Sequence, residues 1–305
     1  METAGLITNF QDFAVHDGTG LRVLVFLKGC PLRCKWCQNP EAIHVEQDLM
    51  YHERLCKDCG KCFDVCDSSA IRKDKQKRVD RKKCIKCMKC ADICPTGALA
   101  RVGKWITVRE VLEQFLEYKP FYDASDKGGV TISGGEPTYQ PQFTAELVKQ
   151  CKIAGLHTAI ETCGYAEYAV IAEIAKNVDL MLFDVKHMND GAHKKVTGVS
   201  NKNILKNLAR LRKDFPDMEV VIRTPLIPDL NDTEENIRET GKFLASLGIG
   251  SWDVLPFNTL AVSKYNAMNR NWKYKKIDRQ KDEYLHHLHK IANLYVPDVT
   301  IGGMR

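Results

Sequence analysis

The sequence predicts an α/β fold, a partial (β/α)6 TIM-like barrel interrupted by a cysteine-rich insertion. Three observations carry this. Short apolar runs alternate with helical patterns along most of the chain. Eleven of the 13 cysteines fall into three tight groups. The charge is localised too: 45 Lys+Arg against 39 Asp+Glu leave a balance of +6, and residues 51–100 alone hold 13 of the basic and 7 of the acidic side chains. The 305 residues are 44% apolar and 28% charged. That make-up is globular and excludes a disordered, collagen-like or small disulfide-stapled chain.

The expected strands lie at 21–27, 130–133, 158–161, 180–185, 220–224 and 252–257. They are rich in Val, Ile, Leu and Phe with little alternation, the pattern of strands buried on both faces of a parallel sheet. Between them fall helical patterns near 141–154, 166–176, 201–213, 233–246 and 279–293. Thr107-Val108-Arg109-Glu110 reads as a capping box that opens a helix to about Tyr118. Repeated βα units imply parallel strands with helical crossovers. Six units are fewer than the eight of a closed barrel, so the barrel is expected to be open. Residues 1–50 and 101–305 form this domain, and 51–100 form the insert. The insert has few large apolar residues and needs metal to fold.

No run of about 18 apolar residues marks a transmembrane helix. Met1-Glu2-Thr3-Ala4-Gly5 lacks the basic segment and apolar core of a signal peptide. The expectation is a cytoplasmic protein without membrane contact, in which thiols bind metal rather than pair. Two readings of the basic insert stand side by side: a docking face for an acidic redox partner, or compensation for anionic metal clusters. Nucleic-acid binding is not expected, because no stacking aromatics interleave the basic residues.

Cys56-x2-Cys59-x2-Cys62-x3-Cys66 is followed by Cys84-x2-Cys87-x2-Cys90-x3-Cys94-Pro95. This run resembles the bacterial two-cluster ferredoxins. Thiolates suit iron–sulfur clusters. Zinc uses two C-x2-C pairs and would leave the remaining cysteines surplus. In the resembling folds three cysteines of a run hold one cluster and the fourth crosses to the other. That implies Cys56, Cys59, Cys62 with Cys94, and Cys84, Cys87, Cys90 with Cys66. Asp67 stands where the second run has Pro; this alters the turn more than the ligation.

Cys30-x3-Cys34-x2-Cys37 differs, because three thiolates leave one iron of a four-iron cluster without a protein ligand. An open coordination position marks a reactive centre. The group follows the first strand, at the end where barrel enzymes place chemistry. C-x3-C-x2-C there resembles the radical S-adenosylmethionine (radical SAM) superfamily. His16-Asp17-Gly18-Thr19-Gly20-Leu21-Arg22, Phe26-Leu27-Lys28-Gly29-Cys30-Pro31 and Asn39-Pro40-Glu41 narrow the resemblance, as do Ser133-Gly134-Gly135-Glu136-Pro137, Asp184-Val185-Lys186 and Leu255-Pro256-Phe257. Together they resemble the glycyl-radical-enzyme activating enzymes, in the longer branch that carries a two-cluster insert.

The resemblance implies three 4Fe–4S clusters, SAM as cofactor, and a glycyl radical enzyme as protein substrate. SAM is cleaved reductively to methionine and a 5′-deoxyadenosyl radical, which takes hydrogen from one backbone glycine of the partner. Flavodoxin or ferredoxin is the implied electron donor. Cys30, Cys34 and Cys37 hold the catalytic cluster. Trp36, Gln38, Gly134, Gly135, Glu136, Asp184, Lys186 and Asn258 are the implied SAM contacts, and Glu136 takes its amino group. Glu161, Thr162 and Arg223 are further candidates, the first two beside a monovalent cation. From the residues alone, plainer readings stay open: Trp36 as core, Gly134-Gly135-Glu136 as a strand-ending turn, and Asp184 with Lys186 as a mutual salt bridge. Thr19 replaces the family's Pro and Asn258 its His; Asn bonds but does not titrate. Asp17 and Arg22 either meet the incoming glycyl loop or support the fold. Cys151 and Cys163 read as packing residues, the histidines as surface or core, and 259–273 as an outer specificity loop. The alternatives are another radical SAM maturase or, in a different class, a ferredoxin-type electron carrier.

Overall fold

The computed structural model describes residues 2–303. In chain order its strands are β1 (Ala4–Ala14), β2 (Arg22–Leu27), β3 (Asp48–Tyr51), β4 (Leu99–Val102), β5 (Lys104–Thr107), β6 (Gly129–Gly134), β7 (His157–Thr162), β8 (Leu180–Asp184), β9 (Glu219–Leu226), β10 (Ser251–Pro256) and β11 (Asp298–Ile301). A nine-stranded sheet runs β11-β10-β9-β8-β7-β6-β2-β1-β5. From β2 through β11 all neighbours are parallel. β1 returns antiparallel along β2, and β5 antiparallel along β1. The six expected strands all form. The sequence reading missed β1, β5 and β11, which extend the sheet at both edges.

Helices Pro141–Ile153, Tyr168–Ala175, Lys202–Asp214, Glu234–Ser246 and Asp282–Ala292 connect the parallel strands. They bury Leu147, Ile171, Leu208, Ile237 and Leu285 against Val25, Ile132, Ile160 and Ile222 of the sheet. Strand side chains alternate, so the intervening residues face the other side. There Ala159, Leu180, Leu182 and Val221 form a small apolar floor. Further along the same strands that face turns charged, with Glu161, Asp184 and Arg223. The Thr107 capping box forms as expected, with Glu110 returning a bond to the Thr107 N–H, and starts helix Val108–Glu117.

Residues 48–102 depart from the sheet. β3 and β4 pair antiparallel, from Asp48 opposite Val102 to Tyr51 opposite Leu99. Between them two short helices, Lys61–Asp64 and Lys89–Asp92, repeat one design. Asp58, Gly60 and Ser69 have positive φ, and so do Lys86, Met88 and Gly97, each 28 residues later. That is also the spacing between Cys56 and Cys84. The core here is small: Leu49, Tyr51, Val79, Met88, Cys90, Ala98 and Leu99. Met50 and Val102 pack on Ala267 and Met268, while Arg81 donates to the carbonyls of Leu49 (2.5 Å) and Ala267 (2.9 Å). Among the described residues no helix is long and apolar enough to cross a membrane.

Candidate active site

The loop after β2 carries Cys30, Cys34 and Cys37, all half-buried. Its base is backbone locked on backbone. Gly29 N–H donates to Ala42 O (2.6 Å), Cys30 N–H to Ile43 O (3.0 Å) and Glu136 N–H to Gly29 O (2.8 Å). Gly134 has φ +112°, and a Cβ there would lie 2.3 Å from the Leu27 nitrogen; one on Gly135 would lie 2.3 Å from the Gly29 oxygen. The close approach these two glycines permit is, first of all, to the cysteine loop itself. Only glycine permits it.

Burial pushes the Cys30, Cys34 and Cys37 thiols up to about 12, and each feels another of the three. Three thiols facing one another in a site that disfavours free thiolates fit a centre whose metal supplies the compensating charge. Trp36 belongs to an apolar cluster against which Cys34 itself packs. It is 5% exposed and packs with Val196, Ile227, Phe257 and Ala261. Gln38 ties two loops: its Nε2 donates to Asn258 O (3.0 Å) and its Oε1 accepts from Ala261 N–H (3.2 Å). Asn258 is exposed, and its Oδ1 accepts from Leu260 N–H (3.2 Å).

The segment 259–273, expected as an outer loop, is in large part a brace. Tyr265 donates to Cys37 O (3.1 Å) and Trp272 Nε1 to Lys35 O (3.0 Å). Their rings stack with centroids 4.9 Å apart. Apolar rings interspersed along a stretch whose one regular element is the short helix Val262–Ala267 hide this role, because the contacts lie more than 200 residues away.

Glu136 is 1% exposed. Its Oε1 accepts from Thr138 N–H (3.0 Å), Thr138 Oγ1 (2.8 Å) and Thr162 Oγ1 (2.7 Å), and its Oε2 from Cys163 N–H (2.7 Å). One oxygen is saturated; the other keeps acceptor capacity. Asp184 and Lys186 pair at 2.6 Å. Burial raises the Asp184 carboxyl, with Lys186 opposing. Lys186 stays protonated well above the usual lysine range, because Asp184 and the Cys34 sulfur outweigh its burial.

Across the same face Arg223 Nη1 reaches Glu161 (2.8 Å) and Asp17 (3.0 Å), while Ser133 Oγ donates to Glu161. Burial pushes Glu161 up, but Arg223 and Ser133 prevail and hold it below the usual carboxylate range. The monovalent-cation expectation meets a physical objection here. Glu161 and Asp184 are already neutralised by Arg223 and Lys186, and Thr162 is bound to Glu136. Arg22 also departs from one expectation. It is fully buried at the start of β2 and donates to Thr131 Oγ1 (2.7 Å), Thr19 O (3.0 Å) and Val130 O (2.5 Å). It supports the fold and is out of reach of an incoming loop. Cys151 and Cys163 are buried, as expected.

In the insert, Cys56, Cys59, Cys62 and Cys94 line one hollow. Cys66, Cys84, Cys87 and Cys90 line a second. Cys66 Sγ accepts from Ala70 N–H (3.2 Å) and Cys94 Sγ from Leu99 N–H (3.4 Å). Burial pushes both thiols up, but hydrogen bonds from Ser68 and the Ala70 backbone, and from the Leu99 and Thr96 backbone, leave them below the usual value. Among the described residues no group of three His, Cys, Asp or Glu is placed to hold a metal ion directly.

Comparison with known proteins places this geometry in context. Residues 24–243 match the family model of the radical SAM superfamily. The chain is 41% identical over 275 residues to an isethionate sulfite-lyase activating enzyme of Nitratidesulfovibrio vulgaris, covering 88% of this chain and 89% of the other. It is 41% identical over 285 residues to a choline trimethylamine-lyase activating enzyme of Oleidesulfovibrio alaskensis, covering 90% and 89%. The structure of Streptococcus suis SuiB bound to precursor peptide SuiA superposes with a TM-score of 0.54 at 14% identity over 90% of this chain and 46% of that one, a likeness of fold. Radical SAM proteins work with a 4Fe–4S cluster and SAM. The chain belongs to the radical SAM superfamily and, within it, to the activating enzymes of glycyl radical enzymes.

Proposed function

We propose that this chain installs the radical of a glycyl radical enzyme from an open barrel, with a ferredoxin-like insert supplying electrons. The observation that carries this is the meeting of Cys30, Cys34 and Cys37 with Glu136 and the Asp184–Lys186 pair at the C-terminal ends of neighbouring parallel strands. The three thiols would hold the cluster. When bound, that cluster supplies the electron that splits SAM into methionine and the hydrogen-abstracting 5′-deoxyadenosyl radical.

The protein's own part is to bind, orient and shield. Glu136 Oε2 offers its remaining lone pair to the SAM ammonium. Lys186, beside Cys34, faces the SAM carboxylate and is steadied by Asp184. Asn258 presents its amide at the mouth. Trp36 and Gln38 support the cysteine loop from behind. Arg223, Asp17 and Glu161 form a polar, ion-paired wall below it. The open side of the barrel, between β11 and β5, admits the glycyl segment of the partner.

In the insert, the partition of cysteines between two hollows supports two 4Fe–4S clusters with Cys66 and Cys94 crossing over. Zinc needs donors converging within about 2.3 Å of one point, whereas a cluster stands between its thiolates. The basic surface around them suits an acidic flavodoxin or ferredoxin donor. The two curated relatives serve different lyases at equal identity, so the partner is named by class.

The test is anaerobic. The protein is reconstituted with iron and sulfide, reduced and given SAM, and 5′-deoxyadenosine is quantified. Product that requires the reductant and disappears in Cys34→Ala is the expected result. A glycyl radical seen by EPR on adding a candidate partner identifies the substrate. Fully loaded protein that forms no 5′-deoxyadenosine, alone or with partners of the isethionate-lyase and choline-lyase types, overturns the reading in favour of an electron carrier.

A further inference from the structure

The two hollows of the insert repeat each other in backbone but not in charge. The first is entered by Arg78, which is 1% exposed. Its Nη2 lies 3.9 Å from Cys56 Sγ, its Nη1 donates to Arg72 O (3.0 Å), and its guanidinium sits 5.3 Å over the Phe63 ring. Its acidic partner is Asp58, whose side chain is 59% exposed. Arg78 rides on the strand-like stretch in which Ile71 bridges Val79. The second half of the repeat has nothing there: the position 28 residues on is Ile106, in β5.

Around its cysteines the second hollow is lined mainly by apolar residues, among them Leu49, Val65, Ile71 and Met88, with the uncharged Ser68 3.7 Å from Cys66 Sγ. Its charged lining residue, Lys86, turns to Glu46 (3.2 Å) and Asp48 (3.9 Å). Arg81, close to Cys84 and Cys90, directs its hydrogen bonds to Leu49 O and Ala267 O and stands against the buried Asp48 at 3.7 Å. None of its hydrogen bonds ends on a sulfur.

We infer that Arg78 raises the reduction potential of the site formed by Cys56, Cys59, Cys62 and Cys94 and makes it the electron-holding site of the insert. This rests on the two clusters proposed above. Reduction adds one negative charge to a cluster. A buried guanidinium touching a ligand sulfur stabilises that charge in a medium of low dielectric, and hydrogen bonds and charge around the sulfurs are known levers on cluster potential. Asp58, largely in water, offsets only part of the effect. Electrons entering the insert therefore settle beside Arg78 before they occupy the second site.

The pair allows a test with two opposite signs. The reconstituted full chain is titrated redox-potentiometrically under EPR, with iron and sulfide counted for each variant. Arg78→Met should shift one component to more negative potential. At the wild-type midpoint its reduced-to-oxidised ratio falls about tenfold, or ~59 mV for one electron. Asp58→Asn should shift the same component in the positive direction by a smaller amount. Position 58 has φ +55°, a conformation asparagine accepts, so this variant leaves the turn intact. The other components stay in place. If Arg78→Met fails to load iron, the sign of the Asp58→Asn shift decides alone. A fully loaded protein in which Asp58→Asn moves no component, or moves all alike, overturns the inference while leaving the clusters standing. An iron count of about four per chain overturns both.

Discussion

The Cys30–Cys37 loop and the insert both present clustered free cysteines, on different foundations. The loop hangs from β2, whose Val23, Val25 and Leu27 are buried in a core shared with Ile132, Ile160, Phe183, Ile222 and five connecting helices. The insert has Leu49, Tyr51, Val79, Met88, Ala98 and Leu99, with cysteines completing its core. The first site is carried by a large apolar core. The second has so small a core that, on the function proposed above, its metal would help to build it, as in small metal-bound domains generally. An open, reactive centre belongs on the rigid foundation, because its exchangeable position cannot also be asked to hold the fold together.

This contrast can be broken, and the largest effect comes from the loop. Cys34→Ala should abolish 5′-deoxyadenosine formation outright and lower the iron content from about twelve to about eight atoms per chain, with far-UV circular dichroism unchanged. Loss of all iron in that variant would show that the sites are not separate. Next, chelating the iron from wild-type protein should open 48–102 to limited proteolysis at its lysines and arginines while the nine-stranded sheet and its helices stay resistant. Equal protection of both regions without iron would sink the idea that metal folds the insert.

Within the parallel sheet, Lys186→Met leaves Asp184 buried without its cation and should destabilise by about 3–5 kcal/mol in denaturant titration. Adding Asp184→Asn should recover much of that loss, and purely additive effects would show that the two do not act as a pair. The smallest effect is expected at Thr107→Ala. Loss of the cap on Val108–Glu117 costs about 1 kcal/mol, visible in the melting of the main α/β domain and absent from the iron content of the insert.

The parallel strands were legible because strands buried on both faces leave uninterrupted apolar runs, as in Leu180 to Phe183. β1 was not, because its inner half is buried and its outer half carries the exposed polar residues of an edge region; neither periodicity extends far enough to declare itself. The cysteine groups were legible because ligation imposes spacing on neighbours in sequence. The Asp184–Lys186 pair was legible as an alternative for the same reason. Arg223 with Asp17 spans 206 residues, and Gln140, which bonds both Leu6 N–H (2.8 Å) and Leu6 O (2.7 Å), spans 134. No local pattern foretells such a contact, since the fold alone creates it. Arg78 was concealed differently: among 13 basic residues in one stretch, nothing in its neighbours distinguishes the one that folds inward.

The ribbon of β3 and β4 bears on how such a chain can gain or lose parts. The polypeptide leaves the main α/β domain and rejoins it at adjacent points, and Gln47 Nε2 already donates to Gly103 O at 2.8 Å. Excising everything between would leave a gap that a tight turn can close, and the entropy of so short a closure is small. What would be left bare is the patch at Ala267 and Met268, which Met50 and Val102 now cover. The segment is thus a cassette with a single socket. Its presence or absence leaves the order of strands in the sheet untouched, and evolution can trade it in or out by resurfacing one short helix.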